Sequence, residues 1–176
     1  MTSNEHEEKP IGPGLAAAIY FAIFALCFLI FTKYTLLSLQ DSLKLPLFPS
    51  ILIVMFTGAY VGSLFGAALA RSKTWYHSLI IGCFMAVIAI LLISLAIMIH
   101  AWFYDSAFYA RLHTWRDYFV IFGALFVSIT LIAGIWLIPL MGLAAIHFNK
   151  QFLPGLLAVD AKRIEENKRE RDSSDE

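Results

Sequence analysis

The chain is poor in charge. Charged residues make up 15% of its 176 residues, and 13 Lys and Arg balance 13 Asp and Glu to a net charge of zero. Soluble domains carry about 25% charge, so this content, with a mean hydropathy of +0.74, excludes an ordinary water-soluble globule. It also excludes a disordered chain, which needs low hydrophobicity and high net charge. The charge balance leaves no basic field for nucleic acid. The composition indicates a membrane protein.

Four long stretches contain no Asp, Glu, Lys, Arg or His at all. A helix needs about 20 apolar residues to cross roughly 30 Å of hydrocarbon, and these stretches lack the alternation typical of barrel strands. We therefore expect an all-α polytopic membrane protein, a bundle of four transmembrane helices. The expected spans lie near Leu15–Phe31, Phe48–Leu69, Ser78–Ile99 and Tyr118–Ile138.

These spans divide the chain into three regions. Residues 1–13 form an acidic leader, residues 14–148 the transmembrane domain, and residues 149–176 a charged tail with a predicted helix. Trp136 lies about 27 Å into the fourth span, the depth of the membrane interface that tryptophan prefers. The fourth span should therefore end near Pro139, and segment 140–148 should lie along the inner membrane surface.

The positive charges are distributed unevenly between the two sides of these spans. An even number of spans places both termini on one side, together with nine of the 13 Lys and Arg. Cytoplasmic loops carry the excess of Lys and Arg, so we expect both termini in the cytoplasm. The compact chain and short loops favour a bacterial inner membrane over a eukaryotic organelle.

The most regular pattern lies in the second span, where Gly58, Gly62, Gly66 and Ala70 recur every four residues. This spacing is typical of a glycine zipper, because small residues four apart form a smooth face that lets two helix backbones approach closely. Two interpretations remain open. The face packs against another span of the same chain, or it binds a second copy or another membrane protein.

Five polar side chains are expected at similar depths inside the spans. A buried tyrosine hydroxyl needs a hydrogen-bond partner. These five side chains either form hydrogen bonds between helices or line a path for a solute. Ionisable residues, which usually mark ion and proton pathways, are missing from the spans, and this favours the first interpretation. The five are Tyr60, Ser63, Ser94, Ser128 and Thr130.

The longest loop on the non-cytoplasmic side carries an apolar pattern. Phe108, Leu112, Trp115 and Phe119 follow helical spacing and predict an interfacial helix that begins near Ala107 and lies on the outer leaflet. It would anchor and cover the bundle, or offer a docking surface to a lipid or an extracytoplasmic partner.

The residues that usually carry catalysis form no recognisable constellation. The sequence has no G-x-S-x-G, HExxH or P-loop motif, and no CxxC pair. Cys27 and Cys83 fall at depths about 10 Å apart, which predicts no disulfide between them. The spacing of the acidic and histidine residues in the outer loop matches no zinc signature. We therefore expect no catalytic residue, metal or cofactor.

The sequence thus favours a non-enzymatic integral membrane protein. Its expected partners are the lipid bilayer and, through the glycine face, other membrane proteins or a second copy. The leading hypothesis is a structural or accessory subunit, or an assembly factor, of a larger membrane complex such as a secretion or transport machine. Two alternatives remain: an oligomeric channel or carrier for a neutral solute, and a lipid-binding or lipid-modifying enzyme built around the outer loop.

Overall fold

A computed structural model of the protein describes residues 12–35, 47–104 and 114–174. Every regular element in these ranges is helical. The elements are α1 (Pro13–Thr35), α2 (Leu47–Arg71), α3 (Trp75–Tyr104), α4 (Trp115–Ile129), the π turn π1 (Thr130–Gly134), α5 (Ile135–His147), the π turn π2 (Phe148–Phe152) and α6 (Leu153–Ser174).

Helices α1 and α2 pack antiparallel along the glycine face. A Cβ atom built on Gly62 would lie 2.6 Å from the carbonyl oxygen of Ala17, and one on Gly58 would lie 2.6 Å from that of Phe21. Toward the start of α1, a Cβ on Gly66 would lie 2.7 Å from the Pro13 carbonyl oxygen. The backbone of α1 therefore occupies the space that side chains would need, and within the described structure this face is covered by the same chain.

Helices α3 and α5 form a second antiparallel pair of the same kind. A Cβ on Gly82 would lie 2.7 Å from the carbonyl oxygen of Met141 and 2.8 Å from the Cα of Gly142. About two turns further along the pair, Gly134 faces the side chain of Ile90. Small residues on both helices permit this close approach.

The two helix pairs meet through side chains rather than backbone. The rings of Phe65 on α2 and Phe84 on α3 pack edge to face, with centroids 6.0 Å apart. Phe21 and Phe148 are both completely buried and bring α1 against π2. The core that joins the elements consists of Ala16, Ala17, Phe21, Val61, Leu69, Met85, Ala86, Ile90, Leu137, Met141, Ala144, Ala145, Phe148 and Leu153.

The fourth helical stretch continues well beyond the predicted end of the fourth span. α4, π1, α5, π2 and α6 follow one another without a break, which amounts to about 90 Å of helix at 1.5 Å per residue. We refer to residues 115–174 as the long helix. Pro139, near which we expect the fourth span to end, lies inside α5.

Segment 140–148 packs inward against the other helices. Met141, Gly142, Ala144, Ala145 and Phe148 are buried. Met141, Gly142 and Ala145 pack in the closely spaced contact with α3. This packing compensates for the hydrogen bond that proline cannot donate. The interfacial position of Trp136 predicted a span boundary, but it did not predict whether the helix stops there.

Four helices are long and apolar enough to span a membrane: Pro13–Tyr34, Ser50–Arg71, Trp75–Phe103 and Trp115–Asn167. Their outward faces are apolar as well, for example at Phe56 and Ile132, which are 72% and 62% exposed. Exposed apolar surface of this extent is what hydrocarbon rather than water would cover.

Candidate functional site

An apolar cavity of about 180 Å³ lies where α1, α2, α3 and the long helix meet. None of the described residues that line it is ionisable. The lining residues are Phe24, Ala25, Phe28, Leu29 and Thr32 from α1, Val54, Thr57 and Gly58 from α2, Ala89, Ile90 and Ile93 from α3, and Ile129, Ala133, Leu137 and Met141 from the long helix.

The cavity is elongated along the helix axes, and its lining is buried at one end. On the long helix its lining runs from Ile129 to Met141, a rise of about 18 Å. Leu137 and Met141, at the end nearer to α6, are buried, whereas Ile129 at the other end is partly exposed. We call the buried end the floor and the other end the mouth.

Two threonines line the cavity and differ in how their hydroxyl groups are satisfied. Thr57 Oγ1 donates to the carbonyl oxygen of Ile53, 2.7 Å away in the same helix. Thr32 Oγ1 is buried and has no hydrogen-bond partner among the described residues. Of the two hydroxyl groups in the described lining, only that of Thr32 is therefore left without a hydrogen bond. A buried hydroxyl without a partner is unfavourable by about 1–3 kcal/mol.

A polar junction holds π2 against the connection between α2 and α3. Asn149 Nδ2 donates to the carbonyl oxygen of Ser72 at 2.8 Å, and it lies 2.9 Å from Ser72 Oγ and 3.0 Å from Ser78 Oγ. The two serine hydroxyls are 2.6 Å apart, and Ser78 is buried. Three segments distant in sequence are therefore joined by one hydrogen-bonded cluster.

An aromatic cluster holds the same turn against α1. The Tyr20 hydroxyl and His147 Nδ1 share a hydrogen bond of 3.0 Å. The Tyr20 ring lies 4.9 Å from that of Phe152 and 5.3 Å from that of Phe148, centroid to centroid. Contacts from α1 and from the α2–α3 connection thus meet at π2, the point where the long helix passes from its apolar to its charged part.

Sequence reasoning missed Asn149 and Tyr20, although Asn149 leaves a signal. Asn149 is the first amide side chain after more than 100 residues without Asn or Gln, and Ser72 and Ser78 flank a short connection. Because hydrogen bonds between segments so distant in sequence depend on the tertiary fold, composition alone could not have paired them.

The five predicted polar residues are not brought together. Tyr60 is 57% exposed on the outer surface, and Ser63 Oγ donates to its backbone carbonyl oxygen at 2.8 Å. Ser94 and Thr130 bond the carbonyl oxygens of Ile90 and Phe126, four residues earlier in their own helices. Ser128 is exposed. None of the five belongs to the cavity lining, so they form no common path in the described structure.

The first part of the predicted outer helix, residues 107–113, lies outside the described residues. Thr114 has extended backbone angles, with φ −128° and ψ 143°, and its amide donates to Asp117 Oδ2 at 3.1 Å. This arrangement starts α4 at Trp115. Trp115 and Phe119 are 83% and 73% exposed, while Phe108 and Leu112 lie outside the described residues.

The sulfur and histidine side chains of the described ranges do not converge. Cys27 and Cys83 are free thiols, and Cys83 Sγ lies 3.9 Å from the carbonyl oxygen of Ile138. No group of three or more His, Cys, Asp or Glu in the described part of the chain could hold a metal ion. Asp105 and His113 of the outer loop lie outside that part.

Comparisons of this chain with protein-family models, with curated proteins and with solved structures gave no match. Its function must therefore be argued from two features of its own geometry: the apolar cavity between the helices, and the doubly anchored turn from which α6 leaves.

Proposed function

We propose that the protein is a non-enzymatic subunit or assembly factor of a larger membrane complex, and that α6 is the element that contacts the partner. The observation that carries this proposal is the continuity of the long helix. Its apolar part packs against α3 and α1, and its charged part continues in the same rod without a flexible linker.

The exposed part of α6 has the character of a contact surface rather than of a buried element. Most of its described side chains from Ala158 onward are exposed. Glu165 and Arg169 stand four residues apart, as do Lys162 and Glu166, and such pairs support an isolated helix by about 0.2–0.5 kcal/mol each. From Glu165 to Ser174 every residue of α6 is polar, and a helix that is polar on all sides either bridges to another structure or depends on such pairs.

The anchoring of π2 supports a mechanical role for this rod. The hydrogen bonds of Asn149 and the packing of Tyr20 act on the turn directly before α6. The direction of α6 is therefore tied to the positions of α1 and of the α2–α3 connection. A partner bound to α6 would be held in a defined orientation relative to the apolar helices.

The proposed location is a bacterial inner membrane with both termini in the cytoplasm. The uneven distribution of Lys and Arg supports this orientation. In this orientation α6 would extend into the cytoplasm. A partner would need both positive and negative side chains to complement the Lys, Arg, Asp and Glu residues of α6.

The test is affinity purification of the full chain in mild detergent after in-cell crosslinking, with quantification of copurifying membrane proteins. We expect a partner whose yield falls at least tenfold in the double variant Glu165→Arg with Arg169→Glu, which preserves the intrahelical pair and the net charge. Arg116→Glu, at the opposite end of the long helix, is the matched control and should retain the partner.

Two results would contradict the proposal. One is a stable monomer that copurifies with no other membrane protein. The other is a partner whose yield is the same for the wild type and the α6 double variant.

A further inference from the structure

The cavity between the helices has the dimensions of a site for one hydrocarbon chain. Its volume of about 180 Å³ exceeds the roughly 150 Å³ that accommodates a benzene molecule in an engineered protein cavity. The lining rises about 12 Å from Phe24 to Thr32 and about 18 Å from Met141 to Ile129. Because this volume is distributed along the length of the lining, the cavity is wide enough for one hydrocarbon chain and too narrow for a whole lipid.

The lining selects against water and ions. A buried water molecule needs two to four polar partners, whereas the lining offers only the two threonine hydroxyls. Thr57 already donates to Ile53, so one polar atom remains. The floor at Leu137 and Met141 is buried and apolar, so the described lining offers no polar route past this end of the cavity.

The single unsatisfied hydroxyl fixes the expected direction of the chain. Thr32 lies at the mouth, three residues before the end of α1 and next to Lys33. Lys33 is the basic residue of the last turn, and its Nζ lies over the ring of Tyr34. Cationic and aromatic side chains of this kind mark the membrane interface. A polar group of the ligand at this level would accept the hydrogen bond that Thr32 Oγ1 does not make within the chain.

We propose that the cavity binds one hydrocarbon chain that ends in a carbonyl oxygen, with the methyl end toward Met141 and the carbonyl oxygen accepting a hydrogen bond from Thr32 Oγ1. Such a chain is an acyl chain of a glycerolipid or a free fatty acid. The site differs from ordinary lipid contact because four helices surround the chain. It is independent of the partner role of α6.

The test is photolabelling of the full chain in phosphatidylcholine nanodiscs. Two probes are used separately: a phosphatidylcholine with a diazirine in one acyl chain, and a fatty acid with the same group. Adducts are mapped by mass spectrometry at increasing mole fractions of probe. We expect adducts at Phe28 and Ile93 that saturate, while adducts at the exposed Phe56 and Ile132 rise in proportion to the probe. The probe that saturates at the lower mole fraction identifies the source of the chain.

Two pairs of measurements decide the outcome. Ala133→Phe fills the cavity and should abolish the saturable adducts, whereas Ala124→Phe, on an exposed position of the same helix, should retain them. Thr32→Val keeps the side-chain shape and should raise the half-saturating mole fraction about three- to tenfold, as expected for one hydrogen bond. Adducts at Phe28 and Ile93 that never saturate with either probe, or that persist in Ala133→Phe, would overturn the site. An unchanged half-saturation in Thr32→Val would overturn the assigned carbonyl contact.

Discussion

At the scale of single residues, the helix contacts depend on the absence of side chains. Gly58, Gly62, Gly66 and Gly82 each face a backbone atom at a distance that a Cβ atom cannot tolerate. Gly123 and Gly155 are also helical glycines, yet nothing lies within 4 Å of a Cβ built on either. Glycine is therefore required at some positions and merely present at others, and the two classes can be separated by experiment.

Gly62→Ala should destabilise the protein, because the new methyl group would lie 2.6 Å from the Ala17 carbonyl oxygen and would force α1 and α2 apart. The expected cost is about 1–3 kcal/mol, typical of overpacking. Gly123→Ala is the matched control and should be neutral or slightly stabilising, since alanine has the higher helix propensity. Thermal unfolding in detergent, followed by tryptophan fluorescence, measures both. Equal stability of the two variants would refute the contact.

Asn149→Ala should destabilise the protein by about 1–3 kcal/mol, because it removes the donor shared by Ser72 and Ser78 and leaves buried oxygen atoms with fewer partners. Gln151→Ala changes an exposed amide in the same π turn and should have little effect. Unfolding by titration with a denaturing detergent, monitored by circular dichroism, compares the two. An equal loss of stability in both variants would show that the hydrogen bonds of Asn149 to Ser72 and Ser78 do not stabilise the fold.

At the scale of elements, the long helix carries two prolines without ending at either. Each proline follows a π turn: π1 lies five residues before Pro139, and π2 ends two residues before Pro154. Proline clashes with the carbonyl group four residues earlier, and a locally widened turn is one way for a helix to accommodate such a disturbance. The sequence places the end of the fourth span near Pro139, and the helix itself continues past that residue, with Gly142 packed against α3.

The long helix should consist of a structural part and a part that adds no stability. Deletion of residues 158–176 removes side chains of which the described ones are mostly exposed, and it should leave the thermal midpoint in detergent unchanged. Deletion of residues 148–176 also removes Phe148, Asn149 and Phe152, which contact Tyr20 and Ser72, and should lower the midpoint by several degrees. A large loss of stability on the shorter deletion would show that α6 packs on the rest of the molecule.

At the scale of the whole molecule, the sequence predicts the helical class and the four apolar helices but not their pairing. The runs without charge locate α1, α2, α3 and α4 directly, because crossing hydrocarbon demands apolar composition. Gly58, Gly62 and Gly66 predict a close contact without naming the partner helix. The cavity left no sequence signal: it lies where four helices meet, and residues such as Ile93 and Ala133 resemble any other apolar residue.

The orientation of the whole molecule gives the last prediction. Nine of 13 Lys and Arg lie on the side of the termini, so this side should be cytoplasmic. In a background with Cys27→Ala and Cys83→Ala, Ser173→Cys should react with a membrane-impermeant maleimide in inverted vesicles but not in intact spheroplasts. Ser106→Cys, from the connection between α3 and α4, should show the reverse. α3 and the long helix run in opposite directions, so the two cysteines should lie on opposite sides of the membrane. If both cysteines react from the same side, the chain crosses the membrane a different number of times. In that case α6 could not extend into the cytoplasm from the end of the fourth span.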